Sequence, residues 1–286
     1  LKDEGKDVIV LAAGEPDFNT PKNIRDAASK AMEEGKTKYV PGKGTPELQK
    51  AIQRKFREDN NINYQLDEII CGVGGKHIIY NAMMATINPG DEVIITAPFW
   101  VSYPDIVLLA EGKPVIVECP QSQNFKITPE QLDKNINSNT KWLMLNSPSN
   151  PTGSVYSKKE LEDLAHILKK YPNVLIMCDD IYEKIIYDEL EFHTLASIEP
   201  SLKERCLTLN GVSKSYCMTG WRLGYCGAPK EIIAGMNKIQ SQSTTSTSSI
   251  TMAAAVEAIS GPQDFIIDHN NKFLKRRDLV ISKLNN

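Results

Sequence analysis

The run Val174-Leu175-Ile176-Met177-Cys178 is apolar at every position and passes directly into Asp179-Asp180-Ile181-Tyr182. Uninterrupted apolar strands are typical of parallel sheets whose two faces are both covered by helices. Short runs of this kind recur along the chain between longer segments with helical spacing, which is the pattern of an α/β fold. The sequence therefore predicts a mainly parallel sheet of about seven strands flanked by helices.

The elements of this fold can be placed by their periodicity. The predicted strands are Val8–Leu11, Glu68–Val73, Glu92–Thr96, Pro114–Glu118, Trp142–Asn146, Val174–Cys178, Arg205–Leu209 and Leu223–Cys226. The predicted helices are Thr45–Asn60, Lys76–Ile87, Ser157–Lys170 and Lys230–Gln240. The polar run Ser241–Ser249 is either a flexible linker or the cap of a helix over Ile250–Ile259.

Composition narrows the function classes. The net charge of −3 over 286 residues provides no basic field for nucleic acid, so a small molecule is the expected partner. The six cysteines form no Cys-x-x-Cys pair and the four histidines show no metal-ligand spacing, so a reducing cytoplasm and no metal are predicted. No apolar stretch approaches the roughly 20 residues that span a bilayer.

A second short stretch points to the chemistry. Ser213-Lys214-Ser215 follows an apolar run, and Arg222 follows in Met218-Thr219-Gly220-Trp221-Arg222-Leu223-Gly224-Tyr225. A lysine amine can hold an aldehyde cofactor as a Schiff base while an arginine binds the phosphate of that cofactor. Most of the 33 lysines and arginines must be solvated surface charges, so this pattern alone is weak evidence. It predicts Lys214 as the lysine that binds pyridoxal phosphate.

Other candidate residues also follow strands. Gly74 and Gly75 precede a predicted helix, where unpaired N–H groups can bind phosphate, although a simple turn would explain the glycines equally well. Trp100 follows the next strand and can either stack on a flat ring or pack in the core. Asn150, in a turn with two prolines, can donate an amide hydrogen bond to a cofactor oxygen.

Asp179 stands at the end of the buried strand Val174–Cys178. A carboxylate there is costly unless it meets a positive partner, and a protonated pyridine nitrogen would be one. A helix N-cap is the simpler explanation for a single aspartate. The pairing of Asp179 with a ring nitrogen is favoured because the candidate residues each follow a separate strand-like run. These candidates are the glycines, the aromatic residue, the amide, the aspartate, the tyrosine, the lysine and the arginine.

These motifs together resemble the class I aminotransferases of the pyridoxal-phosphate family, and among them the bacterial aspartate aminotransferase subgroup. The matching segments are Ala13–Phe18, Lys36–Tyr39, Gly74–Lys76, Trp100–Pro104, Asn146–Gly153, Asp179–Tyr182 and Ser213–Tyr225. They extend over nearly the whole chain. The resemblance implies the large domain of an aspartate aminotransferase-like fold, with only remnants of the small domain.

The resemblance also implies a role for each matching residue. Lys214 would be the Schiff-base lysine and general base, with its pKa lowered by cationic surroundings, and Asp179 would pair with the ring nitrogen. Asn150 and Tyr182 would bind the ring 3-oxygen, and Trp100 would stack on the ring. The phosphate would be held by the Gly74–Lys76 turn, Ser213 and Arg222. Gly14, Trp100, Asn150 and Lys76 would contact substrate, with Lys76 recognising the distal carboxylate.

Assembly and domain structure follow from the same resemblance. Tyr39 would reach the phosphate of a neighbouring subunit, which implies a homodimer. Residues 1–15 would belong to the small domain and substrate loop, 16–272 to the large cofactor-binding domain, and 273–286 to a helix leading into a small domain beyond this chain. In the family, the arginine that binds the substrate α-carboxylate lies in that C-terminal portion.

The implied reaction is transfer of the amino group from L-aspartate to 2-oxoglutarate by a ping-pong mechanism. Two alternatives remain open at this point. The enzyme could have broader specificity, accepting aromatic amino acids, prephenate or alanine. The chain could also be a ligand-sensing, aminotransferase-like domain without catalytic activity.

Overall fold

The computed structural model describes residues 4–8 and 14–285, and this part of the chain contains seven strands and ten α-helices. The strands are β1 (Ile69–Gly72), β2 (Glu92–Ala97), β3 (Lys113–Glu118), β4 (Thr140–Asn146), β5 (Leu175–Asp179), β6 (Cys206–Gly211) and β7 (Gly224–Gly227). The helices are α1 (Lys22–Glu33), α2 (Pro46–Asn60), α3 (Gly75–Thr86), α4 (Ser102–Leu109), α5 (Pro129–Asn135), α6 (Lys158–Leu168), α7 (Leu195–Ile198), α8 (Lys230–Ser241), α9 (Ser249–Ser260) and α10 (Asp264–Leu284).

All seven strands form a single sheet in the order β1-β7-β6-β5-β4-β2-β3. Strand β7 runs antiparallel to both β1 and β6, whereas the other neighbouring pairs are parallel. The sheet is therefore mainly parallel, which confirms the predicted fold class. In this arrangement β4, β5 and β6 end at the same edge, where their carboxyl ends can contribute to one site.

Apolar side chains cover both faces of the sheet, as the uninterrupted strands predict. On β5, Ile176 and Cys178 pack into one core with α1, α2, α6 and α9. Met177, which lies between them, points to the opposite face and packs with α3, α4 and α8. The sheet thus forms the middle layer of three, and the period-2 alternation of a strand distributes its side chains between two cores.

Most predicted elements are present with small shifts at their ends. The exception among the strands is Val8–Leu11, of which residues 9–11 lie outside the described residues. The prediction omitted α1, α4, α5 and the short α7 altogether. Helix α4 is hard to recognise because Tyr103, Ile106 and Val107 are buried in a short apolar segment that has little amphipathic contrast.

The Ser/Thr-rich run Ser241–Ser249 connects α8 to α9 and supplies the cap of α9. The Ser248 hydroxyl accepts a hydrogen bond of 3.4 Å from the Thr251 amide and caps α9. Thr247 is buried, and its hydroxyl donates to the Arg222 carbonyl at 3.0 Å. This segment is therefore an ordered part of the fold.

A close backbone contact places the start of α3 against strand β7. A Cβ atom on Gly224 would lie 2.4 Å from the Gly75 nitrogen and 2.5 Å from the Gly74 carbonyl carbon. Only glycine permits this approach, because no side-chain rotation can relieve a clash between a Cβ and backbone atoms. The glycine in β7 thus sets the position of the helix N-terminus that borders the site.

Replacing Gly224 with alanine should destabilise the protein, since the added methyl must displace the Gly74–Gly75 backbone. We expect a loss of about 1–3 kcal/mol in the free energy of unfolding, measured by urea denaturation without cofactor. Gly220→Ala is the matched control because a Cβ added at that position would have nothing within 4 Å. Equal stabilities for the two variants would contradict the close contact.

Candidate active site

A cavity of about 250 Å³ lies at the edge of the sheet where β4, β5 and β6 end. Its walls come from the start of α3, the start of α4, the ends of the three strands and the turn that follows β6. The predicted site residues that line it are Gly14, Gly75, Lys76, Trp100, Asn150, Asp179, Tyr182, Ser213, Lys214 and Arg222. The fold therefore brings together residues that are far apart in sequence.

Two of the predicted residues do not line this cavity. Gly74 lies directly behind it, as the N-cap of α3 with a φ of 85°. Tyr39 is 98% exposed and borders a separate surface groove with the segment 244–250. Within this single chain, Tyr39 is therefore not part of the cavity.

Asp179 closes the inner end of the cavity and is buried. Its carboxylate accepts a hydrogen bond of 2.7 Å from the Tyr103 hydroxyl and one of 3.3 Å from the Ile181 amide. Burial raises the pKa of Asp179 to about 6, while these two hydrogen bonds act to lower it. No described residue forms an ion pair with this carboxylate, so a buried anion faces the cavity without a countercharge.

Two asparagines and a tyrosine form the wall beside Asp179. The Asn146 amide donates to the Asp179 carbonyl at 2.8 Å, and its side-chain oxygen accepts from the Asn150 backbone amide at 2.7 Å. The Asn150 side chain hydrogen-bonds Tyr182, whose pKa is raised by burial and by the charge of Asp179. Asn146 thus links the end of β5 to the turn that carries Asn150.

Lys214 enters the cavity from the turn that follows β6. Its amine donates to the carbonyl of Gly14 and lies 5.9 Å from the centre of the Tyr182 ring. The pKa of Lys214 is lowered, chiefly by burial; Arg222 also lowers it, whereas Glu15 raises it. The expected direction is therefore present, but the main cause is desolvation rather than the cationic surroundings that the sequence suggested.

The start of α3 is suited to hold an anion. Among the described residues, no side chain caps this helix, so its first N–H groups and the positive end of its dipole face the cavity. Arg222 has a left-handed conformation, with φ 54°. Its guanidinium packs so closely on Gly74 that a Cβ there would lie 2.5 Å from Nη2. Helix end and guanidinium together form a site suited to phosphate.

Lys76 and Trp100 lie side by side at the cavity. The Lys76 amine is 4.9 Å from the centre of the Trp100 ring, a cation–π distance. The Trp100 ring also contacts Tyr103 edge-to-face, with 5.4 Å between the ring centres. An aromatic surface and a cation are thus presented together.

Several lining residues were not predicted as site residues. They are Ile79, Tyr103, Asn146, Ile181, Leu209 and Thr219. Tyr103 and Asn146 stood inside motifs quoted from the sequence, but their contacts to Asp179 join elements that are 76 and 33 residues apart. Only the sheet order could have shown these contacts.

The chemistry of these residues fits pyridoxal phosphate. Asp179 is a buried carboxylate that lacks a cation, and a protonated ring nitrogen would supply one. The uncapped α3 N-terminus and Arg222 fit a phosphate, and Lys214 offers an amine of lowered pKa. Fold and site together define a pyridoxal-phosphate-binding α/β enzyme.

The sequence comparisons lead to a family. Residues 6–286 match the family described as aminotransferase class I and II. An aspartate/prephenate aminotransferase of Cereibacter sphaeroides is 54% identical over 281 residues, which are 98% of this chain and 70% of that protein. An aspartate aminotransferase of Rhizobium meliloti is 52% identical over 285 residues, 100% of this chain and 70% of that protein.

Solved structures agree with these relatives. The crystal structure of the Rhizobium meliloti aspartate aminotransferase matches with a TM-score of 0.98, covering 99% of this chain and 71% of that one. The Thermus thermophilus aspartate aminotransferase with maleate, 40% identical, matches with a TM-score of 0.96 over 99% of this chain and 74% of that one. The chain belongs to the class I and II aminotransferase family, and it is a pyridoxal-phosphate-dependent aminotransferase.

Asp179→Asn should stabilise the cofactor-free protein at neutral pH. A carboxyl whose folded pKa is raised contributes stability that is complete below the unfolded pKa and lost as pH rises through about 6. Removing the charge should therefore increase the free energy of unfolding at pH 7 by about 2 kcal/mol, a difference that vanishes below about pH 4.

The measurement is urea denaturation of both proteins from pH 4 to pH 8. Asp105→Asn, at an exposed position of α4, is the control for replacing an aspartate away from the cavity. A variant that is less stable than the parent at pH 7 would show that Asp179 is not an uncompensated buried anion. Cofactor affinity should decrease in the same variant.

Proposed function

We propose that this protein transfers the amino group of L-aspartate to 2-oxoglutarate, giving oxaloacetate and L-glutamate, by a ping-pong mechanism. The observation that carries the proposal is that Lys214 and Asp179 line the same cavity. Lys214 is an amine of lowered pKa, and Asp179 is a buried carboxylate. The names of the relatives from Cereibacter sphaeroides and Rhizobium meliloti support aspartate as a substrate.

Lys214 is the group that moves protons. When bound, pyridoxal phosphate supplies an aldehyde for condensation with amines and a cationic ring that withdraws electrons from the substrate Cα. Burial favours the neutral form of Lys214, so its Nζ can accept the proton that leaves Cα and deliver it again within the cavity. Tyr182 and Gly14 confine this amine on two sides.

The remaining residues bind and orient. Asp179 would hold positive charge at the ring nitrogen, Asn150 and Tyr182 would bind the ring 3-oxygen, and Trp100 would stack on the ring. The Gly74–Lys76 segment, Ser213 and Arg222 would hold the phosphate. Gly14 borders the substrate through the loop that also contacts Lys214.

Lys76 would select dicarboxylic substrates by pairing with their distal carboxylate. It lines the cavity next to Trp100, and its amine forms no ion pair with a described residue. The Thermus thermophilus aspartate aminotransferase was solved with maleate, which is a dicarboxylate like aspartate. A lysine paired with a desolvated carboxylate contributes to both affinity and specificity.

Broader specificity is the second candidate. It is favoured by the 54% identical relative, which is named for prephenate as well as aspartate. Prephenate is also a dicarboxylate, so Lys76 would serve both substrates. A non-catalytic ligand-sensing domain is a third possibility, and turnover would exclude it.

A homodimer completes the proposal. Tyr39, 98% exposed, would reach the phosphate of a neighbouring subunit from the groove that it forms with the segment 244–250. Residues 16–272 would form the large domain, with 1–15 and 273–286 belonging to the small one.

A cytoplasmic location is consistent with six buried cysteines that form no disulfide in the described part of the chain. In that same part, no helix is both long and apolar enough to cross a membrane.

Borohydride reduction of the cofactor-loaded protein, followed by peptide mapping, tests the central assignment. We expect one pyridoxyl adduct, on Lys214, because its amine is desolvated within the cavity. Lys214→Ala should carry no adduct and should lose transamination, whereas Lys230→Ala, at an exposed lysine of α8, should change neither. An adduct elsewhere would overturn the role of Lys214.

Lys76→Met should reduce activity towards dicarboxylates selectively. Losing one charge-assisted contact should lower kcat/KM for aspartate roughly tenfold to a hundredfold, with a much smaller effect for phenylalanine. Single-turnover rates with aspartate, glutamate and phenylalanine measure this difference. Equal losses for all three substrates would show that Lys76 does not recognise the distal carboxylate.

A further inference from the structure

Tyr103 connects the wall of the cavity to the buried carboxylate at its inner end. The side chain is buried in α4, and its hydroxyl donates to Oδ2 of Asp179 at 2.7 Å. The Ile181 amide donates to Oδ1 at the longer distance of 3.3 Å. Because short hydrogen bonds to a carboxylate are the stronger ones, Tyr103 is its principal donor among the described residues.

The position of this hydroxyl is held by its surroundings. The Tyr103 backbone amide donates to the Trp100 carbonyl at 3.0 Å, which ties the start of α4 to the aromatic wall. The two rings meet edge-to-face, with an angle of 84° between their planes. Tyr103 therefore has little freedom to turn away from Asp179.

Other charged and titratable groups also surround Asp179. Asp180 and Tyr182 follow it along the chain. Burial is the main cause that raises the pKa of Tyr103, and Asp179, Tyr182 and Asp180 raise it further. Across the cavity stand the cations that share its lining, Lys76, Lys214 and Arg222. None of these groups donates a hydrogen bond to the Asp179 carboxylate in the described structure, so Tyr103 has a role that none of them duplicates.

We propose that Tyr103 is a positioning residue that keeps the Asp179 carboxylate ionised and oriented towards the ring nitrogen of the cofactor. The inference rests on the proposed function, since it assigns Asp179 to that nitrogen. Burial opposes ionisation of Asp179, and the Tyr103 hydroxyl offsets the larger part of what the two hydrogen bonds compensate, with the Ile181 amide contributing the rest. Without it, the carboxyl would retain its proton to higher pH and would pair less well with a cation.

Tyr103→Phe removes only the hydroxyl. The dissociation constant of pyridoxal phosphate is measured by absorbance from pH 5 to pH 9. The affinity of the variant should fall at acid pH, and the acid limb of its pH profile should be displaced upward by about one to two pH units. Near pH 6 the loss should be roughly tenfold or more, while at pH 9 the affinity should approach that of the parent protein.

Tyr156→Phe is the matched control. Tyr156 is also buried, and its hydroxyl accepts a hydrogen bond of 3.0 Å from the Ile127 amide, but it does not line the cavity. Its removal should lower stability without moving the acid limb of cofactor binding. A Tyr103→Phe protein whose affinity is unchanged, or weakened equally at every pH, would refute the proposal.

A 3-fluorotyrosine at position 103 tests the same idea while preserving the fold. Its phenol is a stronger hydrogen-bond donor, so the acid limb should move to lower pH, opposite to the effect of phenylalanine. No movement, or movement in the same direction as phenylalanine, would refute the proposal even where Tyr103→Phe fails to fold. If the parent protein itself bound no cofactor, the proposed function would fail instead.

Discussion

The buried carboxylate of Asp179 is the feature on which the rest of the site depends. A carboxylate in a protein interior costs several kcal/mol unless charge or hydrogen bonds compensate. Here the compensation from the described residues is partial, and the pKa of Asp179 rises to about 6. A cation on a bound cofactor would compensate the buried charge. The burial of this carboxylate therefore favours binding of a protonated ring.

The fold holds this carboxylate in place from several sides. Asn146 on β4 fixes the end of β5, and Tyr103 on α4 binds the carboxylate itself. Glu183, one residue after Tyr182, is buried and forms an ion pair with Lys55 of α2. It also accepts a hydrogen bond of 2.9 Å from the Asn60 side-chain amide. The turn 179–183 is thus anchored to α2, and both of its cofactor-facing side chains have a rigid base.

Sequence patterns predicted the sheet because its strands are apolar on both faces, and they predicted Lys214 and Asp179 at the ends of such strands. Arg222 was also expected to follow a strand, but it precedes β7, whose antiparallel direction brings its start to the same edge of the sheet. The patterns did not predict α4, whose residues are too uniformly apolar to show a helical face. For that reason Tyr103 was not recognised as part of the site. The close approach of Gly224 to the Gly74–Gly75 turn was equally hidden, since it depends on the antiparallel placement of β7. Contacts between distant elements follow from sheet order, which a single sequence does not contain.

A crystal structure of the protein with bound pyridoxal phosphate would test the role of Asp179. We expect the ring nitrogen within hydrogen-bonding distance of the Asp179 carboxylate, and the phosphate at the start of α3 beside Arg222. Continuous electron density should extend from the cofactor to the Lys214 amine. A cofactor bound in the reverse orientation, or outside this cavity, would contradict this role, because Asp179 would then remain a buried anion without a countercharge.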